Sequence, residues 1–169
     1  MPSGPPMSMY DALHKHEAVA SQTIRYVYFR SLPRAEQDLQ PLRQKILALG
    51  ESGRGFYDAL RGIYTSAKER DLSSLFMKLY RQGSPNEIAG LSEKFRKEAY
   101  RTTTDEYERG FLIAWEIASK TLSELKSSYP DYPLKDEQQT ETKKPESDDS
   151  VSFDVAPRKK PRQSPGKAG

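Results

Sequence analysis

The 169-residue chain contains no cysteine. That absence excludes disulfides, thiolate zinc sites, iron–sulfur ligation and thiol nucleophiles together. Histidine is nearly absent too: His14 and His16 are the only two, too few for histidine-rich metal centres and most catalytic triads. No apolar run approaches the roughly 18 residues needed to cross a bilayer. The opening Met1-Pro-Ser-Gly-Pro-Pro lacks the basic and apolar regions of a secretory leader. Hydrophobic residues make up only 35% of the chain, against 30% charged and 12 Pro, so part of the length is expected never to pack. The length has room for one ordinary domain and a tail. These absences predict a soluble intracellular protein with no enzymatic activity, no cofactor, no metal and no membrane contact.

What charge there is falls in blocks. Residues 1–134 carry 19 Lys+Arg against 17 Asp+Glu, residues 135–155 carry 3 against 7, and residues 156–169 carry 5 against none. Interspersed charge reads as the solvated surface of a folded domain. Successive acidic and basic blocks read as a tail that serves interactions rather than folding.

The first stretch has helical spacing throughout and predicts an all-α fold, a bundle of five or six helices with a disordered C-terminal tail. The expected divisions are a disordered 1–7, the bundle at 8–127, a Pro/Tyr extended strap at 128–134 and an acidic-then-basic tail at 135–169. The first helix starts at Ser8 and runs through a stripe of Met9, Leu13, Ala20, Ile24, Val27 and Tyr28. The second spans about 34–49, with Pro41 predicting either a kink or a late start. Gly50-Glu-Ser-Gly-Arg-Gly55 reads as a stop and a flexible connection before a third helix at Phe56. Asp71 is expected to cap a short fourth helix, Ser84-Pro-Asn-Glu87 to open a fifth, and Thr103-Thr-Asp-Glu106 to open a sixth. The sixth carries Tyr107, Phe111, Ala114, Trp115, Ala118, Leu122 and Leu125 on one stripe and Leu112, Ile113 and Ile117 on a second side. Apolar surface on two flanks predicts a helix surrounded by others, with Trp115→Ala among the most damaging changes. Tyr10-Asp-Ala-Leu13 and Tyr57-Asp-Ala-Leu60 are identical, but two short copies do not define a repeat.

Catalytic and metal candidates are poor. His14 and His16 diverge by about 200° on a helix and cannot share an ion. The glycines of 50–55 lack the Lys-Ser/Thr ending and preceding strand of a phosphate loop. Asp105, Glu106 and Glu108 cluster where a helix start favours acids.

The tail carries the interpretable motifs. Arg158, Lys159, Lys160 and Arg162 form a segment that resembles the basic nuclear-import signal bound by importin-α, and Lys143 and Lys144 supply the second cluster of its two-part form. The resemblance implies an importin-like receptor and a nuclear location. Ser164 sits in a Ser-Pro-x-Lys sequence that resembles a proline-directed kinase site, implying a phosphoprotein in which phosphate weakens the adjacent cluster. Val151, Phe153 and Val155 fall on alternate positions in an acid-containing segment, 146–155, that resembles a SUMO-interacting motif, the pattern of a strand-addition docking peptide. The terminal cations also permit weak, salt-sensitive DNA or RNA contact without base reading.

The expected function is therefore a non-enzymatic nuclear adaptor or regulatory protein that binds other proteins through its bundle, within a chromatin- or nucleic-acid-associated complex. Tyr26, Phe29, Tyr57, Tyr80 and Tyr100 are the candidate partner surface, since Tyr is favoured in binding cores. The alternative is sequence-independent nucleic-acid binding by Lys94, Arg96, Lys97 and Arg101 together with the tail.

Overall fold

Local start and stop signals divide the described residues into seven helices. A computed structural model describes residues 9–130, with side chains from Asp11 onward. It contains α1 (Met9–His14), α2 (Glu17–Tyr28), α3 (Leu32–Leu47), α4 (Glu51–Glu69), α5 (Leu75–Gln82), α6 (Pro85–Ala99) and α7 (Glu106–Ser128), with no strand among the described residues. The all-helical class agrees with the sequence pattern, but seven helices replace the five or six expected. The extra element comes from a break in the first segment. The His16 amide bonds to the Leu13 carbonyl at 3.0 Å, a tighter three-residue closure, and the helix restarts at Glu17. The apolar stripe has a gap between Leu13 and Ala20, so no buried side chain holds the helix together across the break.

Several starts are also displaced. Ser74, not Asp71, caps α5 by accepting from the Met77 amide at 3.2 Å. Asp71 instead folds the preceding turn, accepting from the Ser73 amide and hydroxyl at 3.1 and 2.6 Å. Asp105, not Thr103, caps α7 through the Glu108 amide at 2.7 Å. Ser84 and Glu87 form the expected reciprocal box at the start of α6. Pro41 lies within a continuous α3 on its exposed side, where the amide it lacks costs no buried partner.

The flexible connection expected at 50–55 does not exist. α3 already ends at Leu47, and the short turn after it closes at Gly50, at φ +80°, a conformation that favours Gly; Glu51 begins α4. Gly53 and Gly55 are buried where α4 meets α3 and α7. A Cβ on Gly53 would overlap the Ile46 carbonyl oxygen, and one on Gly55 would overlap that of Tyr107. Gly110 on α7 answers them: its missing Cβ would overlap the Ser52 carbonyl oxygen. The two backbones touch at this crossing.

α7 is the central element, packed on α4, α6, α2 and α1, while α3 closes against α4 and α2. Both flanks are sealed along much of its length: Ile113 and Ile117 of the second side, and Ala114, Ala118, Leu122 and Leu125 of the stripe, share one core with Phe56, Leu60, Ile63, Ile24 and Ile88. Phe111 and Trp115 are only half-buried. The large, sealed Phe56, Phe76 and Tyr80 thus take the place that the sequence assigned to Trp115.

Three successive helices end on a cation from another element. Arg30 donates to Ala67 O at 3.0 Å at the end of α4. Lys126 donates to Leu79 O and Tyr80 O, both at 2.8 Å, at the end of α5. Arg109 donates to Ala99 O, Arg101 O and Thr104 O at 2.8–3.0 Å beyond the end of α6. Each cation meets carbonyls in or just past a helix's last turn, near the negative end of its dipole, and Ala67 O and Leu79 O also accept the Arg70 and Gly83 amides. Lys126 is 5% exposed, and burial lowers its pKa from 10.5 to about 8, with the Glu87 charge opposing that shift.

Candidate functional site: an apolar groove between α4, α5 and α7

Helix-spaced side chains that find no internal partner are the ones available to another molecule. α4 turns Gly62 outward, and a Cβ there would meet nothing within 4 Å. Beside that open floor stand Leu75 at the start of α5 and Phe111 and Trp115 on α7, enclosing a groove of about 180 Å³ with Asp58, Ser66 and Ser74 among its polar members. Leu75 is 42% exposed and Leu72, just before it, 39%. Ser74 cannot move freely because it caps α5. Asp58 is held by the Tyr107 hydroxyl at 2.6 Å, a bond that raises the Tyr107 pKa. Trp115 is braced from the other side by Phe95, their ring centroids 5.8 Å apart. The result is a preformed slot of roughly one large apolar side chain, with fixed aromatic walls.

The expected partner surface fares unevenly. Tyr80 is a correction: it is 1% exposed, and its hydroxyl donates to Tyr28 O at 3.1 Å inside the core. Ring stacking on Phe76 and edge contact with Tyr28 complete its burial. Tyr26 is half-buried beneath the Arg34 guanidinium. Phe29 is half-buried between Tyr28 and Tyr129, each edge-on at 5.1 Å. Tyr57 is half-buried against the core. Tyr100 is 52% exposed, with Arg96 over its ring. None of the five lines the α4–α5–α7 groove. Of the groove residues, the sequence pattern puts Phe111 and Trp115 on the core stripe and does not single out Leu75 or Gly62. A glycine in mid-helix with no turn beside it was the readable signal.

Lys94, Arg96, Lys97 and Arg101 are exposed on and just after α6, but Glu93 and Glu98 are interleaved with them. Arg96 pairs with Glu93 at 3.3 Å. The structure therefore places these cations on and just after one helix without making a surface of one sign.

His14 and His16 diverge as expected: His14 faces Glu116 on α7 at 3.7 Å, and His16 lies toward α3. No group of three or more metal-ligating side chains occurs among the described residues. None of the described helices is long and apolar enough to cross a membrane. The glycines of 50–55 lie at the N-cap and in the opening turns of α4. Tyr129 packs on Phe29 and accepts from the Tyr28 hydroxyl at 2.7 Å through its carbonyl, whereas Tyr132 and Leu134 of the expected strap lie outside the described residues. So do Lys143, Lys144, Val151, Phe153, Val155, Arg158, Lys159, Lys160, Arg162 and Ser164. Comparison with protein-family models, curated proteins and solved structures finds no match to the chain.

Proposed function

We propose that the chain is a nuclear adaptor whose helical bundle grips another protein through the α4–α5–α7 groove, while the 143–162 cations direct import. The observation that carries this reading is the half-exposed Leu75–Phe111–Trp115 wall over the open face at Gly62. A rigid apolar slot with a few polar members suits one large side chain on the apolar face of a partner helix. Aromatic walls favour such an anchor, because buried aromatic contacts dominate interface energetics. The interleaved acids on α6 weigh against phosphate gripping as the bundle's main task.

Gly62 supplies a clean test. Gly62→Arg fills the groove from a position with no neighbour to displace, and Gly62→Ala is its control. Gly62→Ala should stabilise the bundle by about 0.5–1 kcal/mol through helix propensity alone. The reading expects the Arg variant to keep wild-type thermal stability and nuclear location but lose at least tenfold in partner recovery from nuclear extract, with the Ala variant unchanged. Replacing Lys159, Lys160 and Arg162 by Ala should instead leave recovery intact and spread the full chain into the cytoplasm. Recovery that is indifferent to Gly62→Arg would refute the groove, and nuclear retention without the three cations would refute the import signal.

A further inference from the structure

A second groove, between α2 and α3, differs from the first in its charge. It encloses about 460 Å³, and its apolar wall is formed by Val19, Pro41 and Leu42. Val19, in the first turn of α2, is 38% exposed. Around this wall stand Lys15, His16 and Lys45, against the single carboxylate of Asp38. The neighbouring acid Glu17 is directed elsewhere, pairing with Lys120 of α7 at 3.9 Å. The cations are close enough to sense one another: partial burial and the charges of Lys45 and Lys15 hold the His16 pKa below its usual 6.5.

We infer that this α2–α3 groove is a binding site for an acidic peptide of a partner protein, whose carboxylates meet Lys15, Lys45 and His16 while one apolar side chain packs on Val19, Pro41 and Leu42. Charge complementarity selects the occupant. Two lysines and an adjacent imidazole offer donors to several carboxylates at once. The apolar wall rewards a side chain that a nucleic-acid backbone does not have, and the groove holds no aromatic ring on which a base would stack. Asp38 restricts close approach of a doubly charged phosphate more than that of a carboxylate. This site is separate from the α4–α5–α7 groove, so either can fail without the other.

Protonation supplies a signature. A bound carboxylate favours the charged imidazole, so peptide binding takes up a proton at His16 and tightens as pH falls toward 5.5. The groups facing His16 are Lys15 on its own turn and Lys45 and Asp38 on α3. The lysines stay charged across this range, and peptide carboxylates stay largely ionised above about pH 5.

The experiment is fluorescence anisotropy of a labelled DDELFDDE peptide titrated with the full chain at pH 8.0 and 5.5. Lys15 and Lys45 are exposed, so a K15E/K45E variant keeps its fold, which circular dichroism verifies. Expected results are saturable binding, at least tenfold weaker in K15E/K45E and retained in K15R/K45R. Affinity should rise severalfold at pH 5.5 in the wild type but not in H16Q. Replacing Leu-Phe of the peptide by Ala-Ala should also weaken binding severalfold. The inference is overturned by absence of binding, by charge reversal without effect, by an affinity indifferent to pH, or by an Ala-Ala peptide that binds equally. A twelve-residue oligothymidylate that binds as tightly as the peptide and competes with it would show a general polyanion surface and overturn it too.

Discussion

Gly110→Ala is expected to cost the bundle about 3 kcal/mol, the upper end for forced overpacking, and to lower Tm by roughly 10 °C. Intrinsic propensity argues for the opposite sign, since Ala is favoured over Gly in a helix interior by up to about 1 kcal/mol. The difference lies in what the new methyl would meet. At Gly110 it is the Ser52 carbonyl, part of a backbone that cannot rotate aside. Ser52 and Gly53 are themselves sealed in the first turn of α4, and Gly55 makes the reciprocal approach to Tyr107. Separating α4 from α7 to admit one methyl would open the most extensive helix pairing in the bundle. Thermal melts of Gly110→Ala and of Gly90→Ala, where a Cβ meets nothing within 4 Å, give the comparison. Equal or raised stability in the former would show that the helices do not meet in this way.

Lys126 makes bundle stability rise with pH where most proteins are flat. Its folded pKa is about 8 against an ordinary 10.5, because burial penalises the charged amine. Between those values the unfolded chain binds more protons than the folded one, so stability increases with pH. The full cost of burying the charge is present below pH 8 and is relieved as pH climbs toward 10.5, by about 3 kcal/mol if the shift is fully realised. Tyr64 and Tyr107 oppose this at the upper end. Tyr64 is raised chiefly by burial, with its bond to Glu36 adding to it, and Tyr107 chiefly by its bond to Asp58. Unfolded tyrosine then ionises first above pH 10, and stability falls again. Urea titrations from pH 7 to 11 should therefore show a maximum near pH 10, and Lys126→Met should remove the rising limb. A flat profile in the wild type would place the amine in water rather than against Leu79 O and Tyr80 O.

The helices and much of the core were legible because burial imposes a period on the sequence. Ile24, Val27, Ala118 and Leu122 all fall on expected stripes and are sealed. Boundaries were less legible where two polar residues compete for one cap, as Asp71 and Ser74 do, or Thr103 and Asp105. The glycines of 50–55 misled because a glycine is needed both where a chain turns and where two helices touch, and only the partner backbone distinguishes the cases. Helix phase likewise could not separate Tyr80, whose hydroxyl finds a carbonyl 52 residues away, from Tyr100, which stays outside. The groove was hidden for a related reason. Phe111 and Trp115 have core composition, and helix phase does not tell how far a neighbouring element covers them. Arg30 and Lys126 were invisible as helix-end cations as well, since they act on carbonyls 37 and 47 residues away.

The account rests on the bundle holding a partner at the face around Gly62. Photo-crosslinking tests this most directly, with a diazirine amino acid placed at position 62 or, as a control, at position 90 of the full chain in cells. A discrete adduct to one nuclear protein at position 62, absent at position 90 and lost when Leu75→Glu is added, is the predicted result. No adduct at 62, or the same adducts at both positions, would contradict the groove as the working surface of this protein.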